Sequence, residues 1–294
     1  MALLLATALP LAAAPGRRVR FSGRAAYRYT AAVVAFGPRP PGSAAHRRTE
    51  AYILAQLRRD GARIWRDRYI AHTPIGAFHE ENIIAKFGPR QGQILMLAGH
   101  YDTKFEPFRF VGANDGGSST GLLLEAGAVL AKDPPKAPVW LLFLDGEEAV
   151  KHWTATDSVY GSRHLAAQLQ KEGMVPRIHA LILVDMIGDK DLDVARETNS
   201  TAWLNSFVAA AARKTGYSRY FFHQSMSIED DHIPFLNVGI PAVDLIDFTY
   251  GPNNASTPGP YWHTAQDTMN KLSAHSLKVV GRVVMETLRM LAAQ

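Results

Sequence analysis

The sequence predicts a single α/β domain of three layers, in which a mainly parallel central sheet is flanked by helices. Short apolar segments typical of buried strands alternate along the chain with amphipathic segments typical of helices. Strands that alternate with helices in this way favour a parallel sheet. The chain has 294 residues, of which 47% are hydrophobic and 20% charged, so it is long enough for one soluble domain with a large core.

The predicted elements run from residue 49 to the end of the chain. In order, they are a helix over 49–59, strands over 62–71, 82–87 and 94–98, a helix over 122–131, a strand over 139–144, a helix over 162–171, a strand over 181–184, a helix over 203–214, a strand over 242–246 and a helix over 273–291. Apolar residues at three- and four-residue spacing predict the helices, and short apolar runs predict the strands. Residues 249–261 contain three prolines, which predicts a loop.

The N-terminus is expected to lie outside the main domain, which we place at residues 37–294. Residues 1–16 include an apolar stretch too short to span a membrane, followed by small residues, as in a secretory signal, although no Lys or Arg precedes it. Residues 17–36 are rich in arginine and are interpreted as a solvated basic arm. We therefore expect a secreted or periplasmic protein. The absence of cysteine fits an exported bacterial protein and equally permits a cytosolic one.

The formal net charge of +5 does not predict a nucleic-acid partner. Five arginines crowd the N-terminal stretch, and no aromatic RNA-binding pattern accompanies them. No segment is long and apolar enough to predict a stable membrane span.

The motif Asp145-Gly-Glu-Glu-Ala is the most informative feature of the sequence, because it places two adjacent carboxylates at the end of the predicted strand 139–144. Glu148 can bind a cation while Glu147, which points elsewhere, transfers protons. An isolated Glu-Glu pair is more often an acidic turn after a strand. Other metal-type residues, that is, His and Asp residues of the kinds that bind metal ions, occur elsewhere in the chain and can act together with this pair.

Four other residues of this type stand after apolar runs or late in the chain: His100, Asp115, Asp185 and His263. Taken singly, Asp115 can be a turn former, His100 a core histidine and Asp185 a helix cap. In a doubly wound sheet, however, the carboxyl ends of the strands share one edge, so such residues can converge on one cation. A set of His, Asp and Glu ligands suits zinc.

Several segments together resemble the animal-type, zinc-dependent glutaminyl cyclases, also called glutaminyl-peptide cyclotransferases. The resemblance runs from about residue 37 to the C-terminus, and its segments are His100-Tyr-Asp-Thr-Lys, Gly112-Ala-Asn-Asp, Asp145-Gly-Glu-Glu-Ala, the block from His152 to Ala167, Asp185-Met-Ile-Gly, Asp230-Asp-His-Ile-Pro-Phe-Leu and Trp262-His263. These cyclases share their fold with dinuclear zinc aminopeptidases. The resemblance therefore implies a zinc-exopeptidase-like fold.

The resemblance also implies a role for each site residue. One zinc ion is expected on Asp115, Glu148 and His263. Glu147, Asp185 and Asp230 are expected to be catalytic, and Trp153, Glu229 and Trp262 to contact substrate. The expected substrates are peptides or proteins with an N-terminal glutamine, and we expect the enzyme to be a monomer.

Two differences from the animal enzymes bear on the rim of the site. Glu229 stands where those enzymes have glutamine, which adds a negative charge, and the loop over 249–261 is longer than expected. Trp153 and Trp262 are expected to wall a slot for the glutamine side chain, although tryptophans near a pocket are often core residues.

Two alternatives to cyclisation remain at this point. The metal-type residues equally suit a zinc aminopeptidase, in which Glu147 is the base that activates a metal-bound water. A non-catalytic binding module is the second alternative, and it is disfavoured because no expected ligand has been lost.

Overall fold

Six strands form the central sheet in the computed structural model, which describes residues 19–252 and 256–294. The predicted signal segment lies outside the described residues. From one edge of the sheet to the other, the strands are β1 (Arg63–Thr73), β2 (Gly76–Phe87), β4 (Val139–Leu144), β3 (Ile94–His100), β5 (Ile178–Asp185) and β8 (Ala242–Ile246).

The sheet is mixed, with a parallel core. Strands β4, β3, β5 and β8 are parallel to one another, whereas β2 pairs antiparallel with both β1 and β4. Strands β1 and β2 form a hairpin closed by a two-residue turn after Thr73, and such a short connection joins only antiparallel strands. The predicted mainly parallel sheet is confirmed for the four strands that carry the candidate site.

Helices cover both faces of this sheet. They are α1 (Gly23–Val34), α2 (Ala44–Arg59), α3 (Gly117–Lys132), α4 (Tyr160–Lys171), α5 (Ala202–Thr215), α6 (His232–Asn237) and α7 (Ala274–Leu291). Alternate residues of β4 show the division between the two faces. Leu141 and Phe143 pack in the core formed with α1, α2, α3, α5 and α7, whereas Leu142 and Leu144 pack in the core formed with α4 and α6. The three-layer architecture is therefore confirmed.

The interpretation of residues 17–36 as a solvated arm is wrong for its described part, because α1 packs into the domain. Ser22 caps this helix by accepting a hydrogen bond from the Ala25 N–H, and Ala26 and Thr30 are fully buried. The arginines misled the prediction because Arg24 and Arg28 lie on the exposed face of the helix and Arg20 is exposed just before it. Basic residues on one face concealed the apolar spacing on the other.

The sequence also missed a second, two-stranded sheet and the short helix α6. The small sheet pairs β6 (Val194–Glu197) with β7 (Phe221–Met226) in parallel. Strand β7 has the sequence Phe-Phe-His-Gln-Ser-Met and is only partly buried, so it lacks the apolar run by which the central strands are recognised. Helix α6 has six residues, too few for helical periodicity to be visible.

The parallel strands bring their carboxyl ends to one edge of the sheet, and the loops that leave this edge hold the candidate site. No described helix combines the length and the apolar character needed to cross a membrane.

The close contact between α1 and α3 generates the first prediction. A Cβ added at Gly121 of α3 would lie 2.1 Å from Thr30 Oγ1 and 2.6 Å from the Ala26 carbonyl oxygen. We expect Gly121→Ala to lower the free energy of unfolding by about 2 kcal/mol or more, because the two backbones must separate. Gly127→Ala on the same helix is the control, since its Cβ would meet atoms only at 3.5 Å or beyond. Urea titration of both variants tests this, and equal stability would contradict the packed position of α1.

Candidate active site and metal centre

The metal-type residues predicted from the sequence lie together at the carboxyl edge of the sheet. His100 and Asp185 are the last residues of β3 and β5, and Glu147 and Glu148 follow β4. Asp115 precedes α3, and His263 arrives from the loop before α7.

One group of residues that could bind a metal ion consists of Asp115, Glu148 and His263. His263 Nε2 lies 3.3 Å from Asp115 Oδ2 and 3.2 Å from Glu148 Oε1. Both carboxylates are buried, and among the described residues neither oxygen of Glu148 nor Oδ2 of Asp115 has a hydrogen-bond partner. Buried carboxylate oxygens without donors are costly unless a cation neutralises them. These three residues therefore fit a metal ion, and their donor set suits zinc.

His100 and Asp185 form a second group with the same aspartate. His100 Nε2 lies 3.2 Å from Asp115 Oδ1 and 3.1 Å from Asp185 Oδ1. One oxygen of Asp115 thus faces each imidazole, which is the arrangement of a carboxylate that can bridge two cations.

Glu147 belongs to neither group and lies among other acids. Its Oε2 atom is 4.0 Å from His100 Nδ1. Burial raises the pKa of Glu147 well above its usual range, and His100 opposes this shift while Glu148 and Asp230 reinforce it. Burial and the charge of Asp185 raise the pKa of Asp230 to about 7. Burial and mutual repulsion thus both favour the protonated forms of these carboxyl groups.

Two further aspartates hold the turns that carry the ligands. Asp102 accepts hydrogen bonds from the Glu147 N–H at 3.2 Å and the Glu148 N–H at 3.3 Å. Asp267 accepts from the Asn114 N–H at 2.8 Å and the Asp115 N–H at 3.1 Å. The sequence analysis assigned no separate role to Asp102. It missed Asp267, for which the only indication in the sequence is its position four residues after His263.

The start of α4 fixes the turn from Asp145 to Glu147. The N–H groups of Val159, Tyr160 and Gly161 donate to the carbonyl oxygens of Glu147, Gly146 and Asp145 at 2.8, 2.8 and 3.0 Å. Val159 adopts φ of +43°, a left-handed conformation unusual for a β-branched residue. The turn that presents Glu147 and Glu148 is therefore held by backbone hydrogen bonds and not by side-chain packing alone.

A cavity of about 460 Å³ opens over these groups. Trp153 is 38% exposed, and its Nε1–H donates to Glu229 Oε2 at 3.2 Å. Trp262 is half-buried and stacks on the ring of His263, with the ring centres 3.9 Å apart. Phe248 lies against Trp262 and closes the same side. Both tryptophans line the cavity, and neither is fully buried as a core tryptophan would be.

Of the loop over 249–261, residues 253–255 lie outside the described part. On its described side, Tyr250 is fully buried, and its hydroxyl donates to Asp267 Oδ1 at 2.7 Å. The loop is thereby connected to the carboxylate that holds Asp115.

Known proteins carry the same architecture and the same sequence blocks. The model of the peptidase family M28 matches residues 82–288. The glutaminyl-peptide cyclotransferase of Drosophila melanogaster is 33% identical over 260 residues, which is 78% of this chain and 70% of that protein. The chain belongs to the glutaminyl-peptide cyclotransferases of peptidase family M28.

Solved structures agree with this membership. A glutaminyl cyclase from an Acidobacteriales bacterium matches with a TM-score of 0.91 and 43% identity, over 97% of this chain and 99% of that one. A Zn-dependent exopeptidase from Parabacteroides distasonis matches with a TM-score of 0.82 and 29% identity, over 93% and 99% of the two chains. The family resemblance and the zinc-exopeptidase-like fold predicted from the sequence are both confirmed. The match to a Zn-dependent exopeptidase, together with the two groups of candidate ligands around Asp115, suggests zinc as the metal that this site binds.

The contacts of Asp267 lead to a prediction about metal affinity. Asp267→Asn leaves every candidate ligand in place but replaces one acceptor oxygen by an N–H₂ group. Either the Asp115 N–H, or the Asn114 N–H and the Tyr250 hydroxyl, then lose the oxygen to which they donate. We expect zinc affinity to fall by about 10- to 100-fold, as for other residues that orient metal ligands. Competition with a zinc chelator measures this. Asp189→Asn is the control, because Asp189 is also buried and accepts the Gly251 N–H at 2.8 Å outside the metal groups. Equal zinc affinity in the Asp267 variant and the wild type would refute the role of Asp267.

Proposed function

We propose that this protein cyclises the N-terminal glutamine of peptides or proteins to pyroglutamate and releases ammonia. The observation that carries this proposal is the combination of a metal-type trio with a separate, buried Glu147 in one cavity walled by Trp153 and Trp262. Family membership supports it, since the curated relatives are glutaminyl-peptide cyclotransferases. The acyl group moves within one substrate, so the enzyme is an acyltransferase.

In this proposal Asp115, Glu148 and His263 would hold zinc. The ion would supply Lewis-acid polarisation of the glutamine γ-carbonyl, which is worth several kcal/mol of transition-state stabilisation in metalloenzymes. The assignment is supported by the buried oxygens of Asp115 and Glu148 that receive no hydrogen bond, although His263 and Lys104 lie within ion-pair distance of them.

The substrate supplies its own nucleophile. The α-amino nitrogen forms a bond to the side-chain carbonyl carbon, and the bond from that carbon to the amide nitrogen breaks, so a five-membered ring and ammonia result. Glu147 takes the proton from the attacking amine and delivers it to the leaving nitrogen. Burial raises the pKa of Glu147 and so makes it a stronger base than an exposed carboxylate, which suits a group that must accept a proton and then return it.

Asp185 and Asp230 complete the proton-transfer network and orient the amine. Asp230 is buried, with a pKa raised to about 7, and Asp185 also has a pKa raised by burial. A proton shared among Asp185, Asp230 and Glu147 keeps the site from accumulating three uncompensated negative charges.

Trp153, Glu229 and Trp262 form the rim that receives the peptide. The indole of Trp153 fixes the Glu229 carboxylate through the 3.2 Å hydrogen bond. Trp262, stacked on His263, presents an aromatic wall beside the metal centre. Together they leave a narrow slot for the glutamine side chain.

One zinc ion per chain is sufficient for this reaction. His100 Nε2 lies between oxygens of Asp115 and Asp185, so a protonated His100 imidazole offsets part of their negative charge without a second cation. A second metal ion would keep Asp185 ionised and remove a proton that the network shares.

A zinc aminopeptidase is the second candidate function. It is favoured by one observation, namely that the two oxygens of Asp115 each face a different imidazole, as a bridging ligand would in a dinuclear site. In that reaction Glu147 would activate a water that attacks the first peptide bond.

Export to the periplasm or the outside of the cell, and a monomeric state, also belong to this proposal. Export is supported by the apolar segment within residues 1–16. Peptides with an N-terminal glutamine are the only partners that the activity requires.

Mass spectrometry of a Gln-initiated peptide incubated with the protein tests the function. Loss of ammonia from an otherwise intact peptide is the expected result. Release of free N-terminal amino acids from this and other peptides, with no loss of ammonia, would favour the aminopeptidase. Neither product from a folded, zinc-loaded protein would favour a binding module.

The role of Glu147 can be separated from that of the ligands by one substitution. Glu147→Gln is expected to keep the zinc content and the melting temperature while lowering kcat by about 10²-fold or more, because the amide cannot accept and return the proton. Glu80→Gln is the matched control: Glu80 is equally buried beside Gly146 but does not line the cavity. Loss of zinc from the Glu147 variant would show that the roles of Glu147 and Glu148 have been exchanged.

A further inference from the structure

Glu197, at the end of β6, lies outside the cavity and has no role in the proposed chemistry, yet it is fully buried and ionised. Burial opposes its ionisation, but hydrogen bonds from His232, Asn199 and Ser200 lower its pKa to about 2. A buried carboxylate with this many donors holds its surroundings firmly.

The donors to Glu197 come from both ends of one short segment. The Ile228 N–H donates to Oε1 at 3.3 Å, and the His232 ring bonds Oε2 through Nε2 at 3.1 Å. Between these two anchor points lie Glu229, which bonds Trp153, and Asp230, which faces the active-site carboxylates. The Glu197 carboxylate thus holds the chain at Ile228 and at His232, on both sides of Glu229 and Asp230.

The turn after β6 strengthens this attachment. Asn199 donates its N–H and its side-chain amide to Glu197 Oε1, both at 2.8 Å, and Ser200 donates its N–H and hydroxyl to Oε2 at 2.6 and 2.9 Å. The Asn199 amide also reaches Ser227 Oγ at 3.1 Å. The turn therefore holds Glu197 rigid, and Glu197 in turn holds the segment over 228–232.

We propose that Glu197 is a positioning residue, which acts through Asp230 by fixing the segment 228–232 against the active site. This inference rests on the cyclase function proposed above. A displacement of Asp230 by about 1 Å would impair proton transfer by up to about 10²-fold, because such transfers depend steeply on geometry.

Glu197→Gln tests the proposal with little change in volume. Each side of the carboxylate includes a backbone N–H that cannot accept a hydrogen bond, so the introduced N–H₂ weakens the anchor that it faces, on either the Asn199 and Ile228 side or the His232 and Ser200 side. We expect kcat for a Gln-initiated peptide to fall by about 10-fold or more while KM changes by less than about 3-fold. Glu125→Gln is the control, since Glu125 is a buried carboxylate that accepts the Ser22 N–H far from the site, and it should leave kcat unchanged.

A double-mutant cycle separates positioning from general destabilisation. In an Asp230→Asn background the same Glu197→Gln change should lower kcat by less than about 2-fold, because the residue through which it acts has already been removed. An equal loss in both backgrounds, or an unchanged kcat in the folded single variant, would overturn the proposal.

A milder variant covers the case in which Glu197→Gln does not fold. Asn199→Ala keeps the carboxylate and removes the exposed side-chain amide that donates to Glu197 Oε1 and reaches Ser227 Oγ. It should lower kcat by about 3-fold in the wild-type background and leave it unchanged in the Asp230→Asn background; unchanged kcat in both would overturn the proposal. A wild-type protein that does not cyclise the peptide at all would refute the proposed function and not the positioning role.

Discussion

The structure depends on one electrostatic constraint, the need to neutralise many buried carboxylates at one edge of the central sheet. Three solutions occur side by side. Asp102, Asp267 and Glu197 are satisfied by N–H donors, most of them from the backbone. Asp115 and Glu148 face imidazoles and have oxygens that fit a cation. Burial raises the pKa of Glu147 and of Asp230, which favours their protonated forms. In the proposed function each solution corresponds to a different role of the carboxylate, either support, metal binding or proton transfer.

The backbone also carries strain at this edge. The described residues include four non-glycine residues with positive φ, and three of them adjoin the site: Val159, Met186 and His263. Val159 donates its N–H to Glu147, Met186 follows Asp185 and donates its N–H to that carboxylate, and His263 is a candidate ligand. Conformations of this kind cost of order 1–3 kcal/mol each and persist where the surrounding structure imposes them. Hydrogen bonds and packing in the parallel sheet and its helices supply the stability that offsets this cost.

The sequence predicted the fold where apolar periodicity was strong, and it predicted the site where residues stood at strand ends. Strands β4 and β8 have the predicted bounds, and the metal-type residues after the parallel strands do come together. It failed at α1, whose exposed arginines concealed a buried face, and at the small sheet, where polar residues replace the apolar run. Asp267 and Glu197 could not be predicted, because their roles arise from contacts with backbone N–H groups that no local pattern records.

The number of metal ions decides between the two chemistries that this carboxylate edge can support. A single zinc leaves Asp185 and Asp230 to share protons with Glu147, whereas two ions would occupy both groups around Asp115. The most direct measurement is metal analysis of active protein purified without added zinc, with the reaction products followed on the same sample. We expect about one zinc per chain together with the release of ammonia. About two zinc ions per chain, together with the release of free N-terminal amino acids, would contradict the cyclase mechanism.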